Sequence, residues 1–203
     1  MLVYVAGCAT TSQSVIRNAP VTPSAPLTQD EAALVEGIFG DEVDTRIVTK
    51  YFKDFDPKNA GTAARVLTPK TIEFYKKHNH SANHSLEDHW AYGTFIHEMT
   101  HIWQKQNPGK NVKHCTVYEY ALSLQSRFTD YCSEQQAAII EDYTLRFLHP
   151  YHKSYYATNN ESADALLKKV VEDHFPRALE TRLSYEAREK LKAPPALSAF
   201  PSS

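Results

Sequence analysis

His97-Glu98-Met99-Thr100-His101 is the stretch of this chain whose residue types and spacing can do chemistry. Residues four apart share one face of an α-helix, about one turn from each other. The two imidazoles therefore present themselves to one point, at a separation that suits a tetrahedral zinc ion at ~2.0–2.1 Å from each nitrogen. Glu98, one step round from His97, reaches the flank of such an ion. There a carboxylate can take a proton from water acidified by the metal. The spacing predicts one Zn2+ bound through His97 and His101, with Glu98 as general base. Two surface histidines beside a solvated glutamate would be the blander reading. Phe95, Ile96, Ile102 and Trp103 bracket the motif and argue against it, because they predict a helix buried over much of its surface.

A catalytic zinc generally has three protein ligands and leaves the fourth position to water. A third histidine close downstream is absent, since Gln104 and Asn107 stand where the extended HExxHxxGxxH pattern has Gly and His. The third ligand must come from another element. The segment Ser133 to Tyr143 offers Glu134, in the first turn of a predicted helix, and Glu141, on the same face about 10 Å along the axis. Both cannot bind one ion. Small Ala137 and Ala138 would let this helix pack closely on another. Asp142, Glu141 and Asp88 are candidates to orient a ligating histidine through its second nitrogen. Tyr143, Tyr131, His149 and His152 are candidates to stabilise an oxyanion. His78, His80 and His84 read as a solvated polar loop.

The elements that must position these groups have readable punctuation. Ser85-Leu86-Glu87-Asp88 offers a start for the motif helix and Asn107-Pro108-Gly109 a stop, which predicts a helix over roughly 86–106. Upstream, Thr28-Gln29-Asp30-Glu31 fits a capping box for a helix that stops near Gly40. Thr45–Phe52 and Ala63–Leu67 are β-branched and alternating, as short strands are, and Lys70–Lys76 is a third strand or a turn of helix. Further helices are predicted from Ser133 to Leu148, over Ser162–Asp173 and over Pro176–Leu191. The fold class is α+β, mainly helical, with short N-terminal strands flanking the motif helix.

A chain of 203 residues accommodates one such domain, here 27–192, between a leader or linker (1–26) and a frayed Pro- and Ser-rich tail (193–203). With 22 Lys+Arg against 24 Asp+Glu it has no basic field to hold nucleic acid. No stretch approaches the roughly 20 apolar residues that cross a bilayer as a helix. Val5-Ala6-Gly7-Cys8 resembles the lipobox that ends a bacterial lipoprotein signal, although the apolar run before it is short and lacks a basic lead. A lipid on Cys8 would attach the domain to a membrane of the bacterial envelope, on the periplasmic side; a secreted or cytoplasmic chain is the alternative. Cys115 and Cys132 are an even pair, read either as a disulfide or as free buried thiols. The tyrosines between Tyr118 and Tyr156 read as core.

Phe95 to Gln104, followed by Glu134-Gln135-Gln136-Ala137, resembles the zincin metallopeptidases that use glutamate as third ligand. More narrowly it is similar to bacterial Vgr-related and Rhs-associated HExxH proteins, as are Leu27-Thr28 to Phe39-Gly40-Asp41 and Tyr118 to Leu122. The resemblance spans roughly 27–143. It implies a zincin-like metallopeptidase domain with zinc ligands His97, His101 and Glu134, base Glu98, and a peptide or protein as substrate. Glutamate-ligand zincins carry an acidic residue four positions after the ligand glutamate, where this chain has Ala138. Asp142 or Glu141 would have to serve instead. The rival expectation is a non-catalytic zinc-binding protein of an envelope or secretion assembly.

Overall fold

Thr28 opens the first helix by the device its sequence predicts. Its hydroxyl accepts from the Glu31 amide at 3.2 Å, while the Glu31 carboxylate accepts from the Thr28 amide at 2.8 Å. Two exposed amides are thus satisfied at the start of α1 (Gln29–Phe39). Gly40 ends the helix at φ 62°, a left-handed conformation that a side chain would disfavour. A computed structural model describes residues 24–54, 62–75, 83–86, 89–110, 112–149 and 161–192. Cys8, His78, His80, Asp88 and His152 lie outside them.

Four short strands follow the order β1-β2-β4-β3. β1 (Ser24–Pro26) lies inside the stretch read as linker, yet it pairs antiparallel with β2 (Thr49–Lys53). The strand expected from Thr45 starts four residues later. The Asp44 carboxylate accepts from the Arg46 amide and draws Thr45–Ile47 into a 3-10 turn. β3 (Ala64–Thr68) and β4 (Thr71–Tyr75) form an antiparallel hairpin, and β4 also runs parallel to β2. Lys70–Lys76 is therefore strand over its described part. β4 is buried at Ile72, Glu73, Phe74 and Tyr75 in succession, as befits a central strand covered on both faces.

The motif helix α2 (His89–Gln106) begins later than its sequence predicts, because Ser85 and Leu86 belong to a separate 3-10 turn. It ends as predicted, with the Asn107 side chain donating back to the Trp103 carbonyl at 2.9 Å. α3 (Ser133–Phe147), α4 (Glu161–Glu172) and α5 (Pro176–Lys192) complete a fold that is α+β and mainly helical. α2 packs against α3 and β3, α1 against α5, and α4 against both α3 and α5. Ile96, Met99, Ile102 and Trp103 from α2 meet Ile139, Ile140 and Tyr143 from α3, with Ile72 and Phe74 from the sheet. Each such buried side chain contributes about 1.5–3 kcal/mol. The α2–α3 pair is consequently a rigid floor for whatever the two helices carry. Among the described residues no helix is long and apolar enough to cross a membrane.

His84 departs from the solvated loop expected of it. It is fully buried, with its ring centroid 4.4 Å from that of Phe74 and 5.4 Å from that of Phe95. Its Nδ1 lies 2.8 Å from Glu31, whose carboxylate also accepts from Lys50 Nζ at 2.7 Å on both oxygens. Lys50 occupies an inward position of β2, so the alternation that buries Phe52 buries a lysine too.

Candidate metal centre

His97 and His101 project from successive turns of α2 toward the first turn of α3. There one oxygen of Glu134 lies 3.2 Å from Nε2 of each ring. Ligands of a tetrahedral ion at ~2.0–2.1 Å are about 3.3 Å apart, so these contacts have the spacing of a coordination shell. Among the described residues, His97, His101 and Glu134 form the group of His, Cys, Asp or Glu whose ligand atoms converge, all within 4.8 Å of one another.

The far side of each ring fixes which nitrogen faces that point. His97 Nδ1 lies 2.9 Å from Glu141 Oε2, and His101 Nδ1 lies 2.9 Å from Gln104 Oε1. A carboxylate or amide oxygen only accepts, so each Nδ1 carries the proton and each Nε2 is left with its lone pair toward Glu134. Gln104 is itself held, its amide donating to the Ser133 carbonyl and the Gln136 side chain. A cation or a proton must lie where two lone pairs meet a carboxylate. A proton there is bound tightly: burial opposes the His97 charge, but Glu134 and Glu141 raise its pKa to about 10. Burial likewise opposes the Glu134 charge, and His101 and His97 overcome it to hold that carboxyl far below the usual range.

Glu98 stands beside this group with a different environment. It is 7% exposed, and Oε2 makes no hydrogen bond among the described residues. Burial raises its pKa, His97 and His101 pull it down, and Glu134 and Glu141 push it up again. A carboxyl raised toward neutrality, with one oxygen lacking a fixed partner, is equipped to exchange a proton.

His97, Glu98, His101 and Glu134 form one side of a cleft of about 370 Å³. Ala64, Arg65 and Val66 of β3 line it as well, with Tyr118 and His114 from the irregular segment between α2 and α3. β3 is an edge strand. The Tyr75 amide bonds the Ala63 carbonyl, so residues 63 and 65 bond to β4 and the backbone groups of Ala64 and Val66 point away from it. A larger open depression of about 630 Å³ beside Glu36, Asp44 and Arg177 is lined by none of the cleft residues.

The structure separates the supporting candidates. Glu141 orients His97, whereas Asp142 is buried and accepts from Tyr120 at 2.6 Å. Glu134 and Glu141 therefore touch opposite edges of one imidazole, which the 10 Å of helix between them allows. Gly93 makes room for this, since a Cβ there would lie 2.8 Å from Glu141 Oε1. Of the expected oxyanion groups, Tyr143 bonds Glu172 and the Ala178 carbonyl, Tyr131 bonds the Ala121 carbonyl, and the His149 ring packs at a tilt against Tyr92 with centroids 4.7 Å apart. None of these three described residues lines the cleft. Tyr118 does, its ring centroid 5.6 Å from that of His97, and it is the group that sequence reasoning assigned to the core. Burial, then Glu134, Glu98 and Glu141, raise its pKa, so it keeps its phenolic proton. Gln104 occupies the position of the glycine in the longer zinc motif, and its place three residues after His101 on one helix is the signal for its role.

No protein-family model matches the chain. Over 132 residues it is 36% identical to the type VI secretion system spike protein VgrG2b of Pseudomonas aeruginosa. The match takes in 59% of this chain and 13% of that protein, so the chain spans a small part of its relative's length. A solved structure, the effector domain of Pseudomonas aeruginosa VgrG2b, is 25% identical with a TM-score of 0.47, covering 77% of this chain and 88% of that one. Over the matched residues the chain is thus related to one region of a bacterial Vgr-type protein.

Proposed function

We propose that this chain is a zinc-dependent hydrolase of peptide bonds, with His97, His101 and Glu134 as metal ligands and Glu98 as general base. The observation that carries the reading is the paired orientation of the histidines. Each Nδ1 is occupied by an oxygen acceptor, and both Nε2 atoms meet Glu134 at the edge length of a zinc tetrahedron. When bound, the ion would supply Lewis acidity toward a carbonyl oxygen and a lowered pKa for water. Glu98 takes the proton of the attacking water and returns it to the leaving amine nitrogen. Tyr118 stands on the cleft wall with a proton to donate to the substrate. An extended peptide suits the cleft because the backbone groups of Ala64 and Val66 offer it strand pairing along one side.

Glu98→Gln is expected to keep zinc and to lower kcat by roughly 10²–10⁴-fold on any peptide the parent cleaves. Equal turnover by the variant would remove Glu98 from the mechanism.

A second reading, a non-catalytic zinc protein associated with secretion, draws on the relative's description as a secretion-system spike protein. Structural zinc sites usually close with four protein ligands, whereas the converging group among the described residues has three. That count favours the hydrolase. The relative favours a secreted or envelope-associated bacterial setting for either reading.

A further inference from the structure

Residues 112–126 carry no regular helix or strand among the described residues, and most of their side chains are exposed. Val112, Tyr120 and Leu122 pack against the core, and the Tyr120 hydroxyl donates to buried Asp142, but the mostly exposed run 113–119 between these anchors has little apolar burial to hold it. Yet this strap delivers Tyr118 and His114 to the cleft. It is tied instead to the start of α3. The Ser133 amide donates to the Lys113 carbonyl at 2.8 Å, the Cys115 amide to the Ser133 hydroxyl at 3.3 Å, and the Gln135 side chain to the Glu119 carbonyl at 2.8 Å. In the middle of these bonds Cys115 and Cys132 form a disulfide, with Cα atoms 5.8 Å apart. Cys132 is the residue that caps α3, two places before Glu134, and Cys115 lies three places before Tyr118. One covalent link thus joins the strap to the turn that presents a proposed metal ligand. Both cysteines are partly exposed, so a reductant can reach them.

We propose that the Cys115–Cys132 disulfide gates the metal centre, so that the site assembles fully only where thiols are oxidised. The gate rests on the zinc reading of the same site. Reduction delivers two electrons and two protons to the S–S bond and leaves two thiols. In a reducing compartment a cellular dithiol supplies them and becomes a disulfide itself; on the bench a trialkylphosphine with one water does so and becomes the phosphine oxide. With the bond open, the strap keeps its anchors at Val112, Tyr120 and Leu122, but residues 113–119 between them retain mainly exposed hydrogen bonds. Tyr118 then leaves the cleft wall, and the first turn of α3 frays at the position that holds Glu134. A chain made in a reducing cytoplasm would stay slack there and become competent after export.

The test compares the oxidised protein with protein reduced by a phosphine that is then removed under anaerobic conditions. Zinc affinity is read against a competing chelator, and amide hydrogen exchange is read over 112–122 and over α5. Reduction is expected to weaken zinc binding about tenfold or more, as loss of groups that support ligands does. It is also expected to speed exchange in the strap while leaving α5 unchanged, and reoxidation should restore both. The Cys115→Ser/Cys132→Ser double variant should behave like the reduced protein and ignore the phosphine. Equal zinc affinity and equal strap protection in both redox states would overturn the gate alone. If the oxidised protein takes up no zinc, the metal reading fails and the gate fails with it.

Discussion

Two buried clusters in this molecule combine glutamate with histidine, and they differ in how their charges are matched. In the first, Glu31 accepts from Lys50, the Thr28 amide and the His84 amide, with His84 Nδ1 beside it. The chain supplies its own cation, and burial's tendency to raise the Glu31 pKa is overcome by His84 and Lys50, which hold it near about 2. In the second, Glu98, Glu134 and Glu141 face His97 and His101, and no lysine or arginine pairs with those carboxylates among the described residues. The same residue types thus build a bolt between α1 and the sheet in one place and an acceptor-rich socket between α2 and α3 in the other. The two clusters thus differ in whether a lysine of the chain is built in against the carboxylates.

The comparison breaks most visibly at the bolt. Lys50→Met leaves a buried carboxylate without its main counter-charge and is expected to cost about 3–5 kcal/mol of stability, measured by urea unfolding. Zinc stoichiometry of the folded variant should stay that of the parent. Loss of zinc from well-folded Lys50→Met would mean that the two clusters are not independent. Glu141→Ala probes the socket more gently. It removes the oxygen that orients His97, not a proposed ligand, and is expected to weaken zinc affinity about 10–100-fold with little change in helix content. An unchanged affinity would reduce Glu141 to a packing role.

The contrast also explains what was legible in the sequence. The capping box at Thr28, the stop at Gly40 and the stop at Asn107 are local devices, and each lies where the sequence places it. His97, His101 and Glu98 follow from helical spacing alone, while choosing Glu134 needed the order of two motifs. The bolt was hidden because Lys50 looks like an outward residue and His84 like loop; their partner Glu31 is 19 and 53 residues away. Nothing periodic marks Tyr118, since its strap forms no helix or strand and is held by a disulfide, hydrogen bonds and scattered anchors at Val112, Tyr120 and Leu122. Glu141 was among three carboxylates of equal standing, and only the distance to His97 Nδ1 distinguishes it.

The central claim is that the socket between α2 and α3 holds a metal ion through His97, His101 and Glu134. Elemental analysis of the purified oxidised protein beside its Glu134→Ala variant tests it most directly, because Glu134 is partly exposed and its removal leaves the core intact. About one zinc per chain in the parent and a loss of it in the variant are expected. A parent that binds no zinc, or a Glu134→Ala protein that binds it as tightly as the parent, would contradict the claim.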